Sequence, residues 1–123
     1  MKNRILIDTG EGRPEYLPNL LEAMKLYGCE SIQEVLITHY HYDHTGGISQ
    51  LTKHFGPLKV SKRLPPAFDE RFESKAACNM SVIDDGQKIQ TEGATLKAIY
   101  TPGHTDDHLS FLIEGLILSV TVT

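Results

Sequence analysis

Four metal-ligating side chains fall within six residues of this chain: His39, His41, Asp43 and His44, in the stretch Thr38-His-Tyr-His-Tyr-Asp-His-Thr-Gly-Gly47. They follow directly on the apolar run Val35-Leu36-Ile37. Such a run, closed by two glycines, reads as a buried strand that ends in a tight turn. Imidazole nitrogen and carboxylate oxygen are donors that a borderline cation such as Zn²⁺ accepts, and a loop at a strand end can bring several onto one point. A histidine-rich surface loop is the competing reading, and it leaves the density of ligands unexplained. Residues i and i+2 of an extended segment point the same way, so His39 and His41 are expected to grip one ion while Asp43 and His44 face a neighbouring position. That is the layout of a two-metal site, in which paired ions steady the attacking and leaving oxygens of a hydrolysis.

A second cluster, Tyr100-Thr-Pro-Gly-His-Thr-Asp-Asp-His108, follows the alternating segment Ala94 to Tyr100, another strand running into a sharp turn. His104 is the natural third ligand beside His39 and His41. Three neutral imidazoles around zinc, with one position open, lower the pKa of a bound water to roughly 7. His108 and the pair Asp106-Asp107 are better read as groups that hold the loop or orient a ligand histidine. Asp8, at the end of the apolar strand Ile5-Leu6-Ile7, is costly unless bonded and is expected to support the metal loop. Tyr40 and Tyr42 alternate with the ligands and are expected to pack.

The remaining pattern describes one α/β domain over residues 1–123. Pro14 opens a helix with apolar positions Leu17, Leu20, Leu21 and Met24, ending near Gly28. Ser31 to Thr38 reads as the strand that delivers the metal loop, and Ile48 to Phe55 as a helix stopping at Gly56-Pro57, with its N-terminus by the site. Leu58-Lys59-Val60 reads as a short strand. Ser81 to Tyr100 reads as a β-meander, and Leu109 to Val120 as a hairpin turning at Glu114-Gly115. Cys29 and Cys78 lie outside any Cys-x-x-Cys spacing and are expected to be buried packing residues.

The motif His-x-His-x-Asp-His after a strand, with a later Gly-His, resembles the metallo-β-lactamase superfamily. Ile5-Leu-Ile-Asp-Thr-Gly10 is similar to that family's early strand and turn, and Gln33 to Ile48 and Thr91 to His108 fit the same pattern. The resemblance implies an αββα sandwich, here essentially its N-terminal half. Asp84-Asp-Gly-Gln87, Thr91 to Leu96 and Pro102 to His108 most resemble a branch of endoribonucleases acting on single-stranded RNA. The family's Ser-Gly-Asp, whose aspartate bridges two metals, has no counterpart in Leu118-Ser-Val-Thr-Val-Thr123, and the family's later histidine is missing too. One strong Zn²⁺ position on His39, His41 and His104 is therefore expected, with a weak or empty second one on Asp43 and His44. On this reading Asp43 and His44 are catalytic, and Asp8 and His108 support the ligands.

Apolar content of 40% and charged content of 23% suit a globular domain, and no stretch approaches the roughly 20 apolar residues of a membrane span. The N-terminus carries no evident targeting signal, so a cytosolic location is expected, with mitochondria implied for some members of the resembling branch. A net charge of −4 argues against a surface that embraces nucleic acid throughout. Between Lys53 and Lys75, however, Lys53, Lys59, Lys62, Arg63, Arg71 and Lys75 outnumber Asp69, Glu70 and Glu73. Lys59, Lys62 and Arg63 are thus candidates for holding an RNA backbone. A thioesterase of the glyoxalase II type is the alternative activity, and a metal-holding module that acts by binding partners is a third reading. A sheet face left without its covering layer would favour a homodimer.

Overall fold

The computed structural model describes residues 3–63, 79–91, 93–114 and 119–120. In chain order the elements are β1 (Asn3–Ile7), α1 (Tyr16–Leu26), β2 (Ser31–Leu36), α2 (Tyr42–Thr45), α3 (Ile48–Phe55), β3 (Lys59–Lys62), β4 (Asn79–Val82), β5 (Lys88–Thr91), β6 (Ala94–Tyr100), β7 (Leu109–Ile113) and β8 (Ser119–Val120). They form two four-stranded sheets, ordered β1-β2-β3-β4 and β5-β6-β7-β8. The first is parallel throughout, because each return from strand end to strand start is made by a connection long enough to carry a helix. The second is antiparallel.

Alternation along β2 divides the core in two. Val35 and the adjoining Ile37 face the helices, packing with Ile48, Leu51, Leu58 and Val60 and with half-buried Leu6, Leu17 and Leu20. Leu36 faces the second sheet and packs with Ile83, Ile89, Leu96, Ala98, Leu109 and Phe111. A strand buried on both faces must be apolar at successive positions, which explains the unbroken Val35-Leu36-Ile37 run. The layers are therefore helices, parallel sheet, antiparallel sheet. Among the described residues no helix covers the outer face of the second sheet, and none is long and apolar enough to cross a membrane.

Several expectations need correction. The helix expected from Pro14 begins at Tyr16, with Pro18 in its first turn, where a missing N–H costs no hydrogen bond. Asn79–Val82 is not part of a meander. It pairs in parallel with β3, and the chain crosses to the second sheet only afterwards, so only β5 to β7 and their neighbour β8 form the antiparallel run. Tyr42 is 69% exposed rather than packed, because α2 replaces the two-residue period of a strand end with a helical turn there. Cys29 is half-exposed with its Sγ donating to the Ser31 carbonyl, and Cys78 lies outside the described residues.

Two glycine-bearing turns touch without room for a side chain. A Cβ on Gly47 would stand 2.2 Å from the Thr9 carbonyl oxygen, and one on Gly46 2.4 Å from that of Glu11. The turn after β1 and the turn after the histidine motif are thus pressed backbone to backbone. The Gly47 amide, at the start of α3, donates to Thr9 Oγ1 at 3.0 Å and so is not available to a substrate.

Candidate metal centre

The site lies at the carboxyl end of the parallel sheet, where open α/β sheets place ligands. Ile7 and Leu36 are register partners, and Asp8, directly after Ile7, stands beside Thr38, two residues after Leu36. Asp8 adopts φ 59°, a left-handed conformation that short polar residues tolerate best. Its amide donates to the Leu36 carbonyl at 2.8 Å. Its carboxylate then accepts three bonds: from the Thr38 amide on Oδ1, and from the Thr38 hydroxyl and His44 Nδ1 on Oδ2, each at 2.8 Å. A carboxylate can only accept, which assigns the protons. The Thr38 hydroxyl gives its hydrogen to Asp8, so its oxygen accepts from His39 Nδ1–H at 2.8 Å. His44 likewise carries its proton on Nδ1. Both imidazoles therefore keep a lone pair on Nε2, the state a metal ligand needs.

His39, His41 and His104 come together, with one ligand atom from each within 4.8 Å of the others. His104 Nε2 and His41 Nδ1 are 3.1 Å apart, and the rings of His39, His41 and His104 meet edge to face at centroid distances of 4.8 to 5.0 Å. His39 Nε2 is buried with no hydrogen-bond partner. A buried nitrogen lone pair without a donor is costly, and a cation at the centre of the three rings would satisfy it. Burial, and then the neighbouring imidazoles of His44, His108, His41 and His104, hold the His39 pKa down at about 4. His39 is thus a neutral donor at neutral pH, as zinc coordination requires. Three imidazoles from two strand-end loops, those after β2 and β6, fit zinc, and nothing in the donor set favours a hard oxygen-seeking ion.

The other expected site residues are placed as follows. His44 is buried, its ring 4.2 Å from that of His39, while Asp43 is 66% exposed with Oδ2 3.4 Å from His44 Nε2. These two lie side by side, and among the described residues no third ligand groups with them. His108 is buried beside His39, with ring centroids 5.0 Å apart and Nδ1 2.9 Å from Thr101 Oγ1. Lys62 contradicts its expected role in substrate binding. It is fully buried, with Nζ 2.9 Å from Asp107 Oδ2. Lys59 is exposed and ion-paired with Glu34 at 3.7 Å, and the Arg63 guanidinium stacks 3.9 Å over the Tyr100 ring. Arg71 and Lys75 lie outside the described residues.

Two threonines that the motif reading passed over complete the scaffold. Thr38 relays Asp8 to His39. Thr9 accepts from Gly47 and donates its amide and hydroxyl to the His44 carbonyl at 2.8 and 3.0 Å. Their signal is position: each lies within one or two residues of a strand end that opens on the site. Replacing Asp8 by asparagine puts a donor where one of its acceptor oxygens stands. Either the Thr38 or the His44 bond is lost, and a zinc affinity about 10–100-fold weaker is expected. Competition with a chromophoric chelator measures it.

The fold and the three-histidine cluster define a layered α/β scaffold that carries a candidate metal centre at a sheet end. The metallo-β-lactamase superfamily model matches residues 1–116, and the chain belongs to that superfamily. It is similar to lactamase-like protein adaB of Aspergillus niger, with 41% identity over 113 residues, 92% of this chain and 32% of the relative. It is also similar to thioesterase pkgB of Emericella nidulans, with 40% identity over 111 residues, 90% of this chain and 29% of the relative. Among solved structures it resembles MEM-A1, a subclass B3 metallo-β-lactamase from a soil metagenome library, with a TM-score of 0.69 and 27% identity. That match covers 94% of this chain and 50% of MEM-A1. The chain thus spans about a third of the curated relatives it matches, and the architecture above is a partial metallo-β-lactamase fold.

Proposed function

We propose that this chain carries the first metal position of a zinc-dependent hydrolase, and that the bond opened is an acyl thioester. The observation that carries the reading is the convergence of His39, His41 and His104 on one point, with His39 Nε2 buried and without a hydrogen-bond partner. Zinc held there supplies Lewis acidity toward a carbonyl oxygen and makes water nucleophilic at neutral pH. The chain's own residues do the rest. Asp8, through Thr38, keeps the His39 proton on Nδ1, and directly keeps that of His44 on Nδ1. Asp43, exposed beside His44, offers a carboxylate at the mouth of the site that can hold a water or take a proton.

The choice of carbonyl over phosphoryl chemistry draws support from the name of pkgB, a thioesterase. Support for the ribonuclease expectation is weaker than the sequence implied. Of its three basic residues, Lys62 is consumed by a buried pair, and Lys59 and Arg63 already have partners. The test is an assay of the zinc-loaded chain on an acyl-pantetheine thioester, followed by thiol release, beside a labelled single-stranded RNA, each with and without chelator. Chelator-sensitive thiol release with intact RNA is expected. Chelator-sensitive RNA cleavage without thiol release restores the ribonuclease reading, and bound zinc with neither activity favours a metal-holding module.

A further inference from the structure

Among the described residues, a fully buried ion pair stands outside the proposed chemistry. Lys62 and Asp107 are both 0% exposed, with Nζ and Oδ2 2.9 Å apart. Removing two charges from water is expensive, and an apolar pair of similar volume often packs as well or better, so stability alone does not account for them. Their placement does. Lys62 ends β3, an interior strand held by β2 on one side and β4 on the other, and its Nζ also donates to the Arg63 carbonyl at 2.8 Å. Asp107 lies in the loop between β6 and β7, three residues beyond His104. Its second oxygen, Oδ1, accepts from Thr105 Oγ1 at 2.7 Å, and Thr105 is the residue next to His104.

One carboxylate therefore joins a fixed strand end to the segment that carries the third imidazole. The loop has other ties: Thr101 N to the His108 carbonyl at 2.9 Å and Leu109 N to the Thr38 carbonyl at 2.8 Å hold its two ends, while Gly103 N to the Thr105 carbonyl at 3.1 Å and Tyr100 Oη to the Asp106 carbonyl at 2.6 Å brace its middle only against itself and the end of β6. His39 is fixed by burial in the core, whereas His104 is exposed and takes its place from whatever fixes its loop. We infer that Lys62 and Asp107 are positioning residues that set His104 against His39 and His41. The inference rests on the metal reading above.

The test compares Lys62→Met/Asp107→Asn, which removes both charges at nearly constant volume, with Asp107→Asn alone, which keeps the acceptor for Thr105 and removes only the charge facing Lys62. Zinc affinity by chelator competition, the visible spectrum of the Co²⁺-loaded chain, and thermal unfolding of the metal-free chain are read for each. The expected result is a metal-free chain that still unfolds cooperatively, a zinc affinity lowered about 10–100-fold, and a Co²⁺ spectrum shifted toward higher coordination as water replaces His104. Unchanged affinity and spectrum in either folded variant overturn the inference alone. A parent chain that holds no zinc, or whose affinity survives His104→Ala, overturns the metal reading and this inference with it.

Discussion

Substitution of His39 by alanine is expected to weaken zinc binding by on the order of 10³-fold or more, beyond the roughly 10–100-fold that loss of a ligand's supporting partner causes. His39 is the one ligand of the three that is fully buried, and its free Nε2 has no other use in the structure. Its removal leaves two imidazoles, one half-exposed and one exposed, too few to retain zinc against a chelator. Any hydrolysis should disappear with the metal. Metal analysis after dialysis checks the first effect, and circular dichroism of the metal-free chain separates it from unfolding. Retention of a full equivalent of zinc by His39→Ala would show that the ion sits elsewhere.

Alanine at Gly47 is expected to destabilise the chain by about 3 kcal/mol or more, at the upper end of what overpacking costs. The added methyl meets the Thr9 carbonyl oxygen at 2.2 Å and Tyr16 Cε2 at 2.8 Å. The tyrosine can turn, but Thr9 cannot retreat, because its amide and hydroxyl are both bonded to the His44 carbonyl. Pushing the two turns apart therefore pulls on the backbone of the histidine motif itself. Urea unfolding reads the stability change as a lower midpoint at constant slope. A midpoint unchanged from the parent would mean that the turns are not in contact.

Much of this was legible in the sequence wherever the signal was local. The β2 strand and α3 followed from an apolar run and from helical spacing closed by Gly56-Pro57, and the grouping of His39, His41 and His104 followed from ligand type at two strand ends. What stayed hidden is non-local. Lys62 reads as a surface cation because its partner stands 45 residues later in the chain, and nothing near either residue announces a buried pair. Alternation in Ser81 to Tyr100 identifies strands but not the sheet each joins, and β4 lies in the parallel layer rather than in a meander with β5 and β6. Tyr42 is exposed because the period of two ends where the backbone becomes helical, a change that the residue types there do not signal. The relay from Asp8 through Thr38 to His39 depends on two strand ends being register partners, a fact of pairing and not of composition.

The central claim is that three imidazoles of this chain converge on one zinc ion, and X-ray absorption at the zinc edge of the purified, zinc-loaded chain tests it most directly. The account predicts one tightly held equivalent of zinc whose shell contains three histidine nitrogens, falling to two in His104→Ala. A shell dominated by oxygen, or one unchanged by His104→Ala, would contradict it.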